Sequence, residues 1–202
     1  LSSNKKLDGT AAFDAISQSI ESLFSLKSNK ESVSFAKKGL KILLKNKTSY
    51  FNRKNLINAH EMAIGANLSG KAISISKTIA PHALSYSFTT MFGVPHGHAV
   101  SLTLNKILKL NFFNQKQSLC NYDIKKRYDI LFKLTNTKNI QELDIYFQNI
   151  KKELKLEQDF KKLGINLKKD SKRIFSNVNQ ERLQNNPVKL LKSDIPLIFD
   201  KY

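Results

Sequence analysis

Apolar residues recur at helical spacing along most of the chain. Phe13, Ile16, Ile20, Leu23 and Phe24 fall on one stripe. That spacing predicts a helix over residues 13–24, with Asp14, Gln18 and Glu21 together on a neighbouring face. Val33, Ala36, Leu40, Leu43 and Leu44 predict a second amphipathic helix ending near Asn46. Residues 53–73, opening at Arg53, differ: Leu56, Ala59, Ala63, Ala66, Gly70 and Ile73 form a stripe of mostly small residues. Small residues let helices approach closely, so this segment reads as a central helix packed on several sides. Its β-branched, serine-rich continuation to Thr78 reads as a frayed end or a turn. Pro81 suits the first turn of a new helix, where its missing N–H costs nothing. Gly93 should end that helix near Phe92, and Pro95 should open the next over 96–110. Further helices are predicted at 123–134, at 140–154 with Leu143, Phe147 and Ile150 in phase, at 157–163 before Gly164, and at 170–178. Ser193 is a candidate cap for a last turn. No strand alternation and no repeat appears. The pattern predicts one all-α domain over residues 1–202, with a looser C-terminal half.

Composition adds limits. The chain has 202 residues, 41% of them hydrophobic, which is enough for a real core. Lys and Arg number 34 against 16 acids, a formal charge of +18 that attracts phosphates on nucleic acid, membranes or small ligands. The lysines spread along the whole chain, and no basic run is interleaved with aromatics. The charge therefore reads first as solvated lysine faces, with a non-enzymatic nucleic-acid-binding module kept as an alternative. A single cysteine, Cys120, excludes an internal disulfide framework and suits a reducing cytoplasm. No apolar run is long enough to span a bilayer, and no signal peptide is visible.

Three of the four histidines lie in PHALSYSFTTMFGVPHGHA, residues 81–99. His82 and Tyr86 share a helix face; His96 and His98 sit at the start of the following helix. A helix–turn–helix here brings His82 and His96 to opposing walls of one cleft. Two imidazoles and a carboxylate suffice to hold a divalent metal with an open position. Asp14, displayed beside Gln18, can supply the carboxylate. Spacing alone leaves open whether these histidines bind a metal or simply pack. His60, on the third helix, has no assigned role.

The same residues carry a family resemblance. FDAISQSIES (13–22) resembles the DAxxHAIE helix of the iron-containing, group III alcohol dehydrogenases. The 81–99 block resembles their HxxxH…PHG block, and VNQERLQNNPVKL (178–190) resembles the end of these chains. The resemblance spans nearly the whole chain, as the helical C-terminal half of that family. ANLSGKAISISKTIAPHALSYSF (66–88) is similar in wording to the phosphonoacetaldehyde reductases within it. Those enzymes reduce a phosphonate-bearing aldehyde with a nicotinamide cofactor.

The resemblance implies a site. Asp14 stands at the aspartate ligand, and His82 and His96 stand at the last two histidine ligands. Gln18 stands where many members have a ligand histidine; its neutral amide oxygen either binds weakly or orients a metal-bound water. The donor set suits Fe²⁺ or Zn²⁺. Tyr86 stands where many members have a histidine near nicotinamide and substrate, and it either donates a hydrogen bond or packs. His98 is a second proton-relay candidate. Lys71 and Lys77 either hold a phosphonate or are solvated. The implied activity is reduction of an aldehyde, phosphonoacetaldehyde among the candidates, by NADH or NADPH in the complete enzyme. A lyase resembling dehydroquinate synthase is the alternative within the fold. The chain starts at Leu1 and carries no glycine-rich phosphate loop. The expectation is a catalytic half separated from a nucleotide-binding half, not competent alone. Apolar surface left by that separation would favour a homo-oligomer.

Overall fold

Asparagine side chains cap five of the helix starts among the described residues. Asn29 opens the second helix with a capping box: its side chain accepts from the Ser32 N–H, and Ser32 Oγ accepts from the Asn29 N–H. Asn55, Asn139, Asn166 and Asn179 cap four more helices, each side chain accepting from a backbone N–H of the first turn. The computed structural model describes residues 5–52 and 55–199, and among them no strand occurs. The helices are α1 (Lys5–Phe24), α2 (Lys30–Phe51), α3 (Leu56–Ser76), α4 (Ala80–Phe92), α5 (His96–Ser101) and α6 (Leu104–Phe113). They continue with α7 (Ile124–Thr135), α8 (Ile140–Glu153), α9 (Leu167–Ser176), α10 (Gln180–Gln184) and α11 (Ile195–Phe199). Among the described residues no helix is long and apolar enough to cross a membrane.

α1, α2 and α3 pack on one another. Gly65 marks the closest approach of α3 to α2: a Cβ there would meet the Leu43 side chain at 2.8 Å. The face α3 buries is not the small-residue stripe. Ala63, Ala66 and Leu56 are exposed, whereas Met62, Gly65, Ser69, Ala72 and Ser76 are buried. The serines make this possible. Ser69 Oγ lies 2.6 Å from Ser19 Oγ, and Ser76 Oγ donates to Ser22 Oγ at 2.8 Å, so buried hydroxyls pair across the α1–α3 contact. The predicted start at Arg53 lies outside the described residues.

Two apolar clusters form the core. One joins α1, α2, α7 and α8 around Phe13, Phe24, Tyr128 and Phe147. The other gathers α4, α5, α6, α9 and α11 around Phe88, Phe160, Ile174 and Phe199. The C-terminal segment thus has its own packed aromatic centre, with Phe199 edge-on to Phe88, Phe160 and Phe175.

Three further expectations change. The helix predicted over 96–110 is two helices, because the 102–103 step uses tight i→i−3 bonds from Leu102 and Thr103. Residues 157–163 are not a helix: Glu157 turns its carboxylate onto the N–H groups of Gln158 and Asp159, and a single turn then ends at Gly164, φ 74°. Ser193 lies inside a 3₁₀ turn (Lys192–Asp194) that runs into α11.

Candidate metal centre

α1 presents Asp14, Gln18 and Glu21 on one face, as their spacing requires. α4 begins beside that face. Pro81 occupies its first turn, and His82 follows. Gly93 ends α4 in the left-handed conformation, φ 66°, and the chain returns through Pro95 to put His96 at the first position of α5. The return is tight: a Cβ on Gly97 would sit 2.0 Å from the Thr10 carbonyl oxygen and 2.9 Å from Asp14 Cβ. Only a glycine lets α5 lie this close to α1, and that closeness carries His96 to Asp14.

Asp14, His82 and His96 each offer one ligand atom, and these atoms lie within 4.8 Å of one another. His82 Nε2 faces Asp14 Oδ1 at 3.2 Å, and His96 Nε2 lies 3.8 Å from the same oxygen. Among the described residues Asp14 Oδ1 and His82 Nε2 are both buried and find no hydrogen-bond partner beyond facing each other. Two buried acceptor atoms this close need positive charge between them, either a proton on Nε2 or a metal cation that replaces it. A cation with bonds of about 2.0–2.2 Å to nitrogen and oxygen fits that gap after small side-chain adjustment.

The surrounding groups orient the three candidate ligands. Glu21, fully buried, accepts from His82 Nδ1 at 2.5 Å through Oε1. Its other oxygen accepts from the Ile79 N–H at 2.8 Å. This fixes Nδ1 on Glu21 and turns Nε2 toward Asp14. Gln18 donates its amide to Asp14 Oδ2 at 2.9 Å and so turns Oδ1 toward the histidines. Ser85 gives its proton to the His82 carbonyl, leaving its oxygen to accept from His96 Nδ1 across a longer 3.4 Å. Burial alone would lower the pKa of His82, but the Glu21 and Asp14 carboxylates outweigh it and raise the imidazole to about 9. His96 shifts the other way: burial lowers it, helped by the charges of His82 and Arg182 against the pull of Asp14. With its side chain 39% exposed, against 3% for His82, His96 marks the open side of the cluster.

Tyr86 is brought to this open side, its ring 5.7 Å from that of His96. His98 is not. It is buried on the far side of its turn, with Nε2 donating to the Glu157 carbonyl at 2.6 Å, where it fastens the 156–159 loop. Lys77 is exposed at the end of α3, its ammonium 3.5 Å from the Ser74 carbonyl. Lys71 is exposed on α3 with its ammonium 5.9 Å from the centre of the Phe35 ring.

The sequence pattern marks neither Glu21 nor Arg182 as part of a site. Glu21 shares the helix face of Asp14, but its carboxylate works only because α4 arrives with three donors. The available hint was an acid flanked by Ile20, Ser22 and Leu23, all buried. Arg182 reaches the site from α10, its guanidinium carbon 5.4 Å from the centre of the Tyr86 ring. The hint there was an arginine, one of four in a chain that otherwise uses lysine.

Residues 10–202 match the family described as Fe-containing alcohol dehydrogenase family, C-terminal. Over 46 residues, 23% of this chain and 12% of the relative, the sequence is 44% identical to a phosphonoacetaldehyde reductase of Streptomyces viridochromogenes. Solved structures share the fold. A sulfoacetaldehyde reductase from Bifidobacterium kashiwanohense, in complex with NAD⁺, has a TM-score of 0.82 at 21% identity, covering 98% of this chain and 50% of that one. An alcohol dehydrogenase from Oenococcus oeni has a TM-score of 0.84 at 21% identity, covering 98% and 51%. An iron-containing alcohol dehydrogenase from Thermotoga maritima has a TM-score of 0.79 at 22% identity, covering 98% and 49%. The chain spans about half the length of these structures.

Proposed function

The chain belongs to the Fe-containing alcohol dehydrogenase family, through its C-terminal domain, and from that premise we propose that it holds the metal and the substrate of an NAD(P)-dependent aldehyde reductase. Phosphonoacetaldehyde is the proposed substrate and 2-hydroxyethylphosphonate the product; the stretch of 44% identity to a phosphonoacetaldehyde reductase supports that choice. The observation that carries the reading is the convergence of Asp14 Oδ1 and His82 Nε2, buried and, among the described residues, without a hydrogen-bond partner beyond each other, with His96 Nε2 beside them.

In this reading Asp14, His82 and His96 hold Fe²⁺ or Zn²⁺, which supplies Lewis acidity toward a carbonyl oxygen. Glu21 and Gln18 keep His82 and Asp14 in ligating orientation. The exposed edge of His96 leaves room for the aldehyde, and Tyr86 forms the adjoining wall, with its hydroxyl available to donate to the substrate oxygen. NADH or NADPH, when bound in the complete protein, would supply the hydride equivalent for the carbonyl group. The dinucleotide is assigned to a further domain of the whole protein, because this sequence offers no glycine-rich phosphate loop. His98, tied to Glu157, has a structural part here.

Metal analysis of protein purified without oxygen tests the reading. About one equivalent of iron or zinc per chain is expected, falling below a tenth in Asp14→Ala and in His96→Ala. Protein that carries no divalent ion, or variants that keep it, would refute the site. Net consumption of NADH or NADPH with an aldehyde, in the full-length protein, separates a reductase from a lyase that uses its nicotinamide transiently.

A further inference from the structure

We propose that Arg182 is the side chain that recognises the anionic end of the substrate, a tetrahedral oxyanion of the phosphonate or sulfonate kind. The proposal rests on the reading above only for the reacting end of the molecule; the anion site itself stands on other observations.

The first is how α10 is held. Its opening residue, Asn179, donates its backbone N–H to the Ala83 carbonyl of α4 at 3.5 Å, and its side chain accepts from the Arg182 N–H at 3.0 Å. Just past its other end, the Asn185 amide donates to Ser25 Oγ and to the carbonyls of Ser76 and Thr78, at 2.7, 3.0 and 3.0 Å. The Asn185 carbonyl in turn accepts from the Leu26 N–H at 3.1 Å. A five-residue helix is thus fastened to α1, to the end of α3 and to α4, two of which supply the metal ligands.

The second is the guanidinium. It donates through Nη1 to the hydroxyl of the buried Thr78 and lies over the Tyr86 ring. That ring also touches His96, so a single aromatic side chain joins the guanidinium to the open side of the metal cluster. Arg182 is half-buried and has no carboxylate in ion-pair range among the described residues; the adjacent acid, Glu181, faces Lys27 at 3.8 Å. Unpaired lysines are common in a chain of charge +18. A partly desolvated guanidinium, oriented by a hydroxyl and a ring and aimed along the rim of a metal site, is a different matter. Among the described residues one of its five N–H donors is engaged, and its fork matches two oxygens of a phosphonate or sulfonate. Neither lysine offers this: Lys77 and Lys71 are exposed point charges on flexible stems.

The experiment uses the metal-loaded, full-length protein and two measurements. Calorimetric titration with methylphosphonate, and separately with methanesulfonate, should show binding of at least one, weakened about 30- to 100-fold in Arg182→Met, the worth of one or two charge-assisted hydrogen bonds. Which of the two binds more tightly identifies the oxyanion. The ratio of kcat/KM for phosphonoacetaldehyde or sulfoacetaldehyde to that for butanal should fall by a similar factor in Arg182→Met, and by about tenfold in Arg182→Lys, which keeps the charge and loses the fork. The assignment is overturned if wild-type protein binds neither anion, if the ratio holds in both arginine variants, or if Lys71→Met or Lys77→Met produces the drop instead. Protein that binds methylphosphonate through Arg182 yet consumes no NAD(P)H keeps the arginine assignment and removes the reductase reading. Protein that reduces butanal without any Arg182-dependent anion preference does the reverse.

Discussion

His82 sits between two carboxylates, with Asp14 facing its Nε2 and Glu21 its Nδ1. Asp14 is marked as a candidate ligand by its place on the first helix and by the family resemblance. Glu21 lies on the same face, but its function depends on α4, sixty residues on, delivering an imidazole N–H and two backbone N–H groups. No local pattern encodes that meeting, just as none brings Arg182 to Tyr86. The consequence of Glu21 is measurable. Burial would lower the pKa of His82, but Glu21 and Asp14 hold the ring protonated up to about 9 when no cation is present. A metal must displace that proton, so its uptake should weaken as pH falls below this value. Glu21→Gln still accepts a hydrogen bond from Nδ1 but polarises the ring less. We expect metal affinity about 10- to 100-fold lower, as for other losses of a carboxylate behind a ligating histidine. Competition with a chromophoric chelator reads this directly, and unchanged affinity would mean that Glu21 only fills space.

Helix existence was legible from the apolar period, and helix faces were less so. The α3 stripe shows why. Alanine and serine are both small, and the sequence offers no reason to bury the serines; the reason lies in the partner hydroxyls of α1. The break between α5 and α6 was hidden for a similar cause. Leu102, Leu104, Ile107 and Leu108 keep an unbroken apolar record while the backbone tightens at Thr103. Gly97, by contrast, looked like part of a turn and is the closest point between two elements. Gly97→Ala should push α5 off α1, because its Cβ would lie 2.0 Å from the Thr10 carbonyl oxygen. Overpacking of this kind costs about 1–3 kcal/mol. The same shift should draw His96 from Asp14 and lower metal occupancy. Gly70→Ala is the counterpart: its Cβ meets nothing within 4 Å, and a mid-helix glycine gives way to alanine with a gain of about 0.5–1 kcal/mol. Chemical denaturation and metal content, measured on both variants, should move in opposite directions for stability and diverge for metal. Equal effects would place Gly97 outside the positioning of His96.

On the scale of the whole molecule, the pH dependence of stability has a source remote from the metal cluster. Lys151 on α8 is 2% exposed, and its ammonium donates to Asn105 Oδ1 of α6 at 2.5 Å. Asn105 in turn donates to Asp144, which Lys109 approaches at 4.0 Å. This chain of groups ties α8, in the first apolar cluster, to α6, whose Ile107 and Leu110 belong to the second. Burial, with the charge of Lys106, outweighs Asp144 and lowers the pKa of Lys151 from 10.5 to about 7. The sign follows from proton counts. Between those two values the unfolded chain holds a proton that the folded chain lacks, so stability rises with pH by up to about 1.4 kcal/mol per unit and levels off above the higher value. Below the lower value both states are protonated, and the full cost of the buried charge is present. His82, raised in the folded state, slopes the other way in metal-free protein: its stabilisation is complete below 6.5 and lost as pH passes about 9. The difference between wild type and Lys151→Met isolates the lysine, because His82 is common to both. Urea unfolding at intervals from pH 6 to pH 11 should show the wild type gaining on the variant throughout the window. Parallel curves would mean that Lys151 keeps its proton in the fold, held there by Asp144.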